Sequence, residues 1–434
     1  MTADLHFVSP AEAVKLVKSG DTIVVQGSTS VPMALLKAVT ERAGELRDVR
    51  FISGFAIHPE GAPYAKKEYL DSFRALSIFV PNYLRGAMRD GTADTIPVFL
   101  GEVPGLFRHH QLGCDVMMLQ VSTPDEDGYC SFGISADLAY SGCECARVVI
   151  AQMNSYVPHT QGPAKIHVSR LAAVCRIDEP LVEVPTPTPT ETETRIGNYI
   201  AAEIPDGATL QIGVGGIPNA VINALKNHRH LGLHTEAITD GVLPLIEKGV
   251  IDNSLKTVLP GKSVGSLVLG SKGLYDYLDY NKDVEIHDVA YTNDPQVIRQ
   301  NPRVMSINSA IEVDLTGQIC ADSIGETVIS GVGGQHDFFY GASQSEGGKC
   351  FLALTSMTGK GQSKIVSHLA PGAGVVTTRF QAHYIVTEHG IANLRGLPLA
   401  DRAKALIRIA DPSVREELEK EAVRRFGIGF LRLK

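Results

Sequence analysis

The sequence contains no tryptophan, and aromatic residues make up only 6% of its 434 residues. No apolar stretch reaches the length of about 18 residues that a membrane-spanning helix needs, so we expect no transmembrane segment. Neither sign of charge dominates, because 48 acidic and 40 basic residues are interspersed and give a net charge of −8. This balance argues against nucleic acid as the main partner. We therefore expect neither a membrane nor a nucleic-acid partner.

Cysteine is sparse and odd in number, with seven residues in the chain. An odd count does not suit a disulfide framework. Cys143 and Cys145 are one residue apart, which is too close for the usual CxxC metal knuckle. His109 and His110 have no further ligand at helical spacing, so a solvated surface pair is the simpler interpretation. The sequence therefore predicts buried thiols and no metal site.

The two ends of the chain show no targeting signal. The first residues, MTADLHFVSPAEAV, have neither the basic flank nor the apolar core of a secretory signal. The last residues, FLRLK, match neither a retention nor a peroxisomal address. Together with the expected free thiols, these ends lead us to expect a cytoplasmic protein.

Glycine is in excess, with 42 residues, or about a tenth of the chain against a typical ~7%. The length argues for two or three domains of roughly 100–200 residues each. Asp178–Arg195 alternates Pro with Thr and then becomes acidic, and such a composition favours an extended linker. We therefore predict an N-terminal domain over residues 1–185 and a C-terminal domain over residues 186–434.

The two halves begin with the same order of elements. A β-branched strand precedes the loop Gly27–Pro32 and the helical segment MALLKAV in the first half. A similar strand precedes the loop Gly213–Pro218 and the helical segment NAVINAL in the second. Chance similarity of glycine-rich loops is the alternative, but the shared order favours a duplication. Because strands alternate with helices, we predict two similar open α/β domains with mostly parallel sheets.

Further elements follow from hydrophobic periodicity and turn residues. The predicted strands are Val49–Ser53, Val116–Val121, Val148–Ala151, Val264–Leu269, Val304–Ile307, Phe351–Leu354 and Ile385–Thr387. The predicted helices are Gly241–Lys248, Asp294–Gln300, Pro398–Ile409 and Ser413–Ala422.

Familiar nucleotide-binding motifs are incomplete. Gly213-Val-Gly and Gly331-Val-Gly begin like a dinucleotide fingerprint, but Pro218 and His336 occupy the sixth positions. Gly261-Lys-Ser resembles the end of a P-loop whose first glycine is missing. These failures argue against a nucleotide-binding loop.

Two glycine loops remain as candidate binding elements. Gly213–Pro218 follows an apolar strand and opens a helix, so its N–H groups can face an anion or a polarised carbonyl. Gly331–Phe338 is the second double-glycine loop. A tight turn without a ligand is the alternative for each loop. Two candidate nucleophiles, Glu236 in HTEAITDGV and Glu388 in VTEHG, both follow a threonine, and the residues alone do not choose between them.

Six segments, in this order, resemble the acetyl-CoA hydrolase/transferase family, the class I CoA transferases: GVGGIPNAV, HTEAITDGV, YTNDPQVI, INSAIEVDLTG, GVGGQHDF and VTEHGIANLRG. PVFLGEVPGLF in the first half is also similar to the family, so the resemblance covers essentially the whole chain. It is closest to the 4-hydroxybutyrate and butyryl-CoA:acetate CoA-transferases, whose first loop reads GGIP. His389 departs from the Tyr or Gln that the family has after VTE.

The resemblance implies that Glu236 is the nucleophile that attacks an acyl-CoA thioester and then carries CoA as a glutamyl thioester, and that Glu388 is structural. A glutamate with an ordinary pKa of about 4.3 is ionised at neutral pH and needs no partner base. The resemblance also implies oxyanion donors at the Val214 and Gly334 N–H groups. The implied coenzyme-A contacts are Gly213, Val214, Gly215, Gly216, Ile217, Asn293, Ile311, Gly334 and Lys360.

The implied activity is the reversible transfer of CoA between acetate and a short-chain acid such as butyrate or 4-hydroxybutyrate. CoA would be a substrate and covalent intermediate, with no permanently bound cofactor. The implied fold is shared with ribose-phosphate isomerases, with the active site between two domains, and the chain would form a homodimer or higher oligomer. We expect first-domain residues of Ser28–Pro32 and Phe79–Asn82 to line part of the acyl pocket.

Three other functions remain as alternatives. An acyl-CoA hydrolase would use the same nucleophile and let water intercept the intermediate. A non-catalytic acyl-CoA sensor could share the fold without turnover. A sugar-phosphate isomerase of related topology would not bind CoA.

Overall fold

The computed structural model describes residues 5–432. The expectation that the ends carry no targeting signal also covers residues 1–4 and 433–434, which lie outside that range. The strands, in chain order, are β1 Thr22–Val25, β2 Val49–Ser53, β3 Phe73–Ser77, β4 Ala93–Thr95, β5 Val116–Val121, β6 Tyr129–Ser131, β7 Val148–Met153, β8 Lys165–His167, β9 Ala173–Arg176, β10 Thr209–Ile212, β11 Gly232–Leu233, β12 Ala237–Thr239, β13 Ser263–Gly265, β14 Leu267–Leu269, β15 Val284–Ile286, β16 Val304–Ser309, β17 Glu312–Asp314, β18 Ile319–Cys320, β19 Ser323–Ile324, β20 Thr327–Val328, β21 Lys349–Ala353, β22 Ile365–Val366, β23 Tyr384–Thr387 and β24 Gly390–Asn393.

The α-helices are mostly short and alternate with these strands. In chain order they are α1 Pro10–Ala13, α2 Met33–Thr40, α3 Arg85–Arg89, α4 Val103–Arg108, α5 Ala139–Cys145, α6 Glu191–Ala202, α7 Gly216–Ala224, α8 Leu243–Glu247, α9 Lys272–Leu278, α10 Val289–Thr292, α11 Pro295–Ile298, α12 Gln335–Gln344, α13 Leu399–Ile409, α14 Arg415–Phe426 and α15 Ile428–Arg432. None of the helices in the described part of the chain is long and apolar enough to cross a membrane.

The chain divides into two compact units, each discontinuous in sequence. Unit 1 contains the chain up to Pro185 together with Glu236–Asp240 and Lys262–Asp294. Unit 2 contains Thr186–Thr235, Gly241–Gly261 and the chain from Pro295 onward. The predicted α/β class with two units is confirmed. The limits 1–185 and 186–434 remain a prediction about domains, and two later segments pack into unit 1.

Unit 1 contains a seven-stranded sheet in the order β4-β3-β2-β1-β5-β7-β9, and every neighbouring pair is parallel. The central strands β1, β5 and β7 are buried at every residue. Continuous apolar strands of this kind belong to parallel sheets that are covered on both faces. The prediction of mostly parallel sheets is confirmed here.

Two small parallel pairs complete unit 1 and correct one predicted strand. Val264–Leu269 was expected to be a single strand, but the structure divides it at Ser266. The first part, β13, pairs with β15, whereas the second part, β14, pairs with β12. The two parts have different partners, so a break between them is required, and the apolar pattern alone does not reveal it.

Unit 2 contains a six-stranded sheet in the order β11-β10-β16-β21-β23-β24. All neighbours are parallel except β23 and β24, which are antiparallel. One buried apolar cluster joins this sheet to its helices and includes Phe338 of α12, Leu352 of β21, Ile385 of β23 and Leu406 of α13. The glycine loops described below are therefore attached to a rigid, packed sheet.

The predicted linker is shorter than the sequence indicated. Asp178–Pro189 has no regular structure, but α6 begins at Glu191, inside the range that was expected to be extended. The Thr190 side chain accepts a hydrogen bond from the Glu193 N–H, and the Glu193 carboxylate accepts one from the Thr190 N–H. This Thr-x-x-Glu capping box starts the helix and overrides the acidic composition.

The predicted order of strand, loop and helix is confirmed in both halves. In unit 1, β1 leads through the loop Gly27–Pro32 to α2, with Pro32 as the residue before the first turn. In unit 2, β10 leads to α7, which begins at Gly216 and holds Pro218 in its first turn. Proline fits there because the first-turn N–H groups have no partner within the helix.

Most other predicted elements are present with shifted ends. The bounds of β2 and β5 agree with the prediction. The helix expected over Asp294–Gln300 is reduced to the single turn α11, and the one expected over Ser413–Ala422 extends to Phe426 as α14. Propensity therefore located the elements but not their ends.

Helices α6 and α7 approach closely at Gly197. A Cβ at Gly197 would lie 2.6 Å from the backbone carbonyl carbon of Ala220. Gly197→Ala should therefore lower stability by about 1–3 kcal/mol, since helix backbone must move to relieve the overlap. Gly86→Ala in α3 is the matched control, because nothing lies within 4 Å of its Cβ position. Calorimetry should show a midpoint several degrees lower for Gly197→Ala and an unchanged or higher midpoint for the control. Equal midpoints would contradict this account of the contact.

Candidate active site

Glu236 lies between β11 and β12, directly before the first residue of β12. Its backbone carbonyl accepts hydrogen bonds from the N–H groups of Ser266 and Leu267, both at 3.0 Å. β12 then pairs in parallel with β14. The side chain of Glu236 is half-buried. The backbone of this glutamate is therefore fixed by a strand pair while its side chain remains partly accessible.

Asn293 contacts Glu236 directly. Its Nδ2 donates a hydrogen bond to Glu236 Oε2 at 2.9 Å, and Asn293 is itself fully buried. Both residues belong to unit 1. A hydrogen bond from a buried amide to a carboxylate restricts rotation of the carboxylate and is stronger than a bond between neutral groups. Of the predicted site residues, these two are brought together in unit 1.

The loop Gly27–Pro32 lies beside the strands next to Glu236. Ser28 Oγ donates to the carbonyl oxygen of Val268 in β14 at 2.8 Å. Ser28 is fully buried and has a φ of 52°, a left-handed conformation that is uncommon for serine. Backbone strain of this kind is concentrated at functional sites. This expected pocket segment thus contacts the strand that pairs with β12.

Phe79 is connected to the same part of unit 1 through the neighbouring ring of Phe55. Its ring lies edge-on to Phe55, with centroids 4.9 Å apart. Phe55 in turn packs against the small cluster of Ala237, Leu267 and Leu269. Both first-domain segments that the sequence analysis singled out therefore connect to the strand pair that follows Glu236.

The first glycine loop of unit 2 occupies Gly213–Gly215, between β10 and α7. The Gly213 N–H donates to the carbonyl oxygen of Ile307 at 3.0 Å, and Val214 is 47% exposed. Gly215 has a φ of 133°, in the region that L-residues rarely adopt. Gly216 lies against the carboxylate of Glu193, so a Cβ at this position would overlap it. The loop thus requires glycine for conformation at Gly215, whereas a side chain at Gly216 would have to displace the Glu193 carboxylate.

The second glycine loop of unit 2 directly precedes α12. Gly334 is buried and is the residue before the first turn of α12, with φ −90° and ψ 7°. The left-handed glycine is its neighbour Gly333, with φ 58°. Both glycine loops therefore precede helices, where the N–H groups of the first turn and the helix dipole favour an anion.

Ile311 and Lys360 lie at the same edge of the unit 2 sheet as Gly213. Gly213 follows β10, Ile311 follows β16, and the exposed Lys360 lies in the loop after β21. These three strands are adjacent and parallel. Ligands of open α/β sheets bind beyond the carboxyl ends of the strands. Three of the predicted coenzyme-A contacts therefore lie at the expected edge of one sheet.

Glu388, the rival nucleophile, is held by a neighbouring loop. Its Oε1 accepts a hydrogen bond from Ser356 Oγ at 2.6 Å, and its Oε2 accepts one from the Ser356 N–H at 2.9 Å. Ser356 begins the loop that carries Lys360. Both carboxylate oxygens thus bind one residue of unit 2, an arrangement that suits the structural role expected for Glu388.

The other candidate groups within residues 5–432 are an exposed histidine pair and free thiols. His109 and His110 are exposed, as expected of a surface pair. All seven cysteines are free, and burial raises the pKa values of Cys114 and Cys350 to about 12. Residues 5–432 contain no group of three or more His, Cys, Asp or Glu side chains that could hold a metal ion. Poorly ionised thiols are weak nucleophiles.

The sequence analysis did not single out Asp288 or Ser356. Asp288 directly precedes the short helix α10, and an Asx residue before a helical segment is a recognisable cap signal. Ser356 contacts Glu388, which is 32 residues away in the sequence, and no local sequence pattern predicts such a contact. The first residue could have been found from the sequence, whereas the second required the fold.

Two family models match the chain. The acetyl-CoA hydrolase/transferase N-terminal domain matches residues 4–185, and the C-terminal domain of the same name matches residues 270–422. A protein from Fasciola hepatica, named succinyl-CoA:acetate/propanoyl-CoA:succinate CoA transferase, is 43% identical over 422 residues, which cover 96% of this chain and 87% of that protein. The 4-hydroxybutyrate coenzyme A transferase of Clostridium kluyveri is 42% identical over 420 residues, which cover 96% and 97%.

A solved structure shows the same fold over almost the whole chain. It is the 4-hydroxybutyrate CoA-transferase of Porphyromonas gingivalis, which is 38% identical and has a TM-score of 0.83. The superposition covers 97% of this chain and 98% of that one.

The conformations of Gly333 and Gly334 predict different responses to alanine. Gly333→Ala should lower stability by about 1 kcal/mol, because a Cβ is disfavoured at its positive φ. Gly334→Ala should lower stability less than Gly333→Ala does, since alanine adopts its φ and ψ without strain. Urea unfolding of the two variants measures the difference. A larger loss for Gly334→Ala would mean that this loop conformation is wrong.

Proposed function

Because the chain belongs to the acetyl-CoA hydrolase/transferase family, we propose that it is a CoA-transferase that moves CoA between acetate and a short-chain acid such as butyrate or 4-hydroxybutyrate. The observation that carries the proposal is the half-buried Glu236 carboxylate, whose Oε2 is hydrogen-bonded to the buried Asn293. A carboxylate is already ionised and can attack a thioester without a base. CoA is then a substrate and a covalent intermediate, and the reaction needs no permanently bound cofactor.

In the proposed reaction, a Glu236 oxygen attacks the acyl carbonyl of acyl-CoA. The new C–O bond replaces the C–S bond, which gives a mixed anhydride and releases the CoA thiolate. The thiolate attacks the glutamyl carbonyl, expels the acyl group as its carboxylate and forms a glutamyl-CoA thioester. An acceptor carboxylate then passes through the same steps in reverse. No proton is gained or lost in this sequence.

Asn293 would hold the carboxylate during attack. Its bond to Oε2 favours one orientation of the carboxylate plane, which lowers the entropy that must be lost on reaching the transition state. The backbone of Glu236 is also held in place, since its carbonyl oxygen accepts hydrogen bonds from the N–H groups of Ser266 and Leu267.

The two glycine loops would serve the oxyanion and the coenzyme. We assign oxyanion donors to the N–H groups of Val214 and Gly334, and CoA contacts to Gly213–Ile217, Ile311 and Lys360. Both loops precede helices, and backbone N–H groups are preorganised donors that are each worth about 3 kcal/mol in a transition state. An exposed lysine such as Lys360 would suit the phosphate groups of CoA.

The acyl pocket would be formed in part by Ser28–Pro32 and Phe79–Asn82. Support comes from the Ser28 hydrogen bond to β14 and from the packing of Phe55 against the cluster of Ala237, Leu267 and Leu269. We further propose a cytoplasmic homodimer or higher oligomer, as the family resemblance implies.

Glu236→Gln should abolish the transferase reaction. The amide keeps size and polarity but is not nucleophilic, so turnover should fall by roughly three or more orders of magnitude. Mass spectrometry after incubation with acyl-CoA and no acceptor should show the mass of CoA on the wild-type peptide that contains Glu236, and none on the variant. Borohydride should inactivate the wild-type adduct by reducing the thioester.

Glu388→Gln is the matched variant for this experiment. It makes the same chemical change at the other candidate, and it should still gain the mass of CoA on the Glu236 peptide. Retained turnover in Glu236→Gln, with an adduct that is lost in Glu388→Gln, would assign the nucleophile to Glu388 instead.

The acceptor distinguishes transfer from hydrolysis. In a panel of acetate, propionate, butyrate, 4-hydroxybutyrate and succinate with acetyl-CoA as donor, we expect a new acyl-CoA to form for the short monocarboxylates. The reason is that a second carboxylate must enter the site to release CoA from Glu236. Liquid chromatography of the CoA esters measures the products. Free CoA that is released at one rate whatever the acceptor would indicate a hydrolase, and CoA binding without turnover would indicate a sensor.

A further inference from the structure

The residue that holds Glu236 belongs to a very short helix. Asn293 directly follows α10, which has only the four residues Val289–Thr292, and the Asn293 N–H donates to the Val289 carbonyl oxygen at 2.9 Å. A single helical turn has no stability of its own in water, because nucleation is unfavourable. The position of the Asn293 amide therefore depends on groups outside α10 that hold the turn in place.

One carboxylate supplies much of that support. Asp288 Oδ1 accepts a hydrogen bond from the Ala290 N–H in the first turn of α10 at 2.6 Å. Its Oδ2 accepts one from the Ser141 N–H in α5 at 3.0 Å. The Val289 N–H donates to the backbone carbonyl oxygen of Asp137, at 3.2 Å, in the segment just before α5. Asp288 thus caps α10 and joins it to a second helix of unit 1.

Burial makes the carboxylate of Asp288 energetically unfavourable as a helix cap. Asp288 is only 6% exposed. Burial raises the pKa of Asp288 to about 6, against the opposing effects of the Ala290 N–H and of the Arg108 charge. Arg108 is itself paired with Glu144 at 2.6 Å. Serine or asparagine caps a helix about as well as aspartate does. What a carboxylate adds is a second acceptor oxygen, which here reaches the other helix.

We propose that Asp288 is a positioning residue for the transfer reaction: by binding α10 and α5 together it directs Asn293 Nδ2 at Glu236. The inference rests on the proposed function, because it concerns the orientation of the Glu236 nucleophile. Asp288 acts through Asn293. Its loss should therefore slow the attack of Glu236 and leave acyl-CoA binding nearly unchanged.

The first test compares Asp288→Asn with Asp115→Asn. Asp115 also accepts a hydrogen bond from a backbone N–H of another element of unit 1, the N–H of Thr22, at 2.8 Å. This bond lies at the amino end of the sheet. In Asp288→Asn, an NH2 donor replaces one of the two carboxylate oxygens. That oxygen had accepted a backbone N–H, which loses its acceptor. We expect the rate of CoA-adduct formation on Glu236 to fall roughly ten- to a hundredfold, with KM for acyl-CoA changed less than about threefold. Asp115→Asn should keep the wild-type rate even if it lowers the melting temperature.

A double-mutant cycle separates positioning from general stabilisation. If Asp288 acts through Asn293, then Asp288→Asn should slow an Asn293→Ala enzyme by no more than about twofold. Asp288→Ser, which retains a cap for α10 but cannot reach α5 with a second oxygen, replaces Asp288→Asn if the latter does not fold. Its adduct rate should fall in the same way.

The outcomes are distinct for the two proposals. A wild-type protein that never forms the adduct would overturn the proposed function itself. A wild-type protein that forms it, with Asp288→Asn reacting at the same rate, would overturn the positioning role. Fully additive losses in the double variant would also overturn it, since Asp288 would then affect the rate independently of Asn293.

Discussion

A glutamate can serve as a nucleophile only if its carboxylate keeps its charge and is also held in one orientation. Free glutamate side chains in water satisfy the first condition but not the second. The hydrogen bond from Asn293 to Glu236, together with the backbone bonds that fix the start of β12, meets the second condition.

The two units contribute different kinds of chemical group. Unit 1 contains Glu236 and its buried amide partner Asn293, which are fixed by short strands and a single helical turn. Unit 2 contains glycine loops that precede longer helices, so its resources are backbone N–H groups and dipoles. The proposed reaction would use both kinds of group, a carboxylate nucleophile and N–H donors to the oxyanion. The two halves begin with the same order of elements, but the residues proposed for the site differ between them.

Local patterns predicted much of the fold. The strand, loop and helix at the start of each half, and the strands β2 and β5, follow from alternating apolar residues and turn glycines. The division of Val264–Leu269 did not follow, because it depends on partners that lie elsewhere in the chain. The ordered family segments indicated Glu236 and Asn293 as site residues, and the structure places them in contact. The bond from the Ser141 N–H to Asp288 needed the tertiary structure, since 147 residues separate the two.

Unit 1 is interrupted in sequence, and this has a consequence for biosynthesis. Glu236–Asp240 and Lys262–Asp294 belong to it, although residues of unit 2 precede, separate and follow them. A nascent chain that has emerged only as far as Pro185 therefore lacks β12, β13, β14 and β15, and with them the segment of Glu236. The strand pair that fixes the backbone of Glu236 can form only after residue 269 has left the ribosome. Unit 1 can therefore reach its final structure only after these later segments have been synthesised. N-terminal domains more commonly complete their folding first.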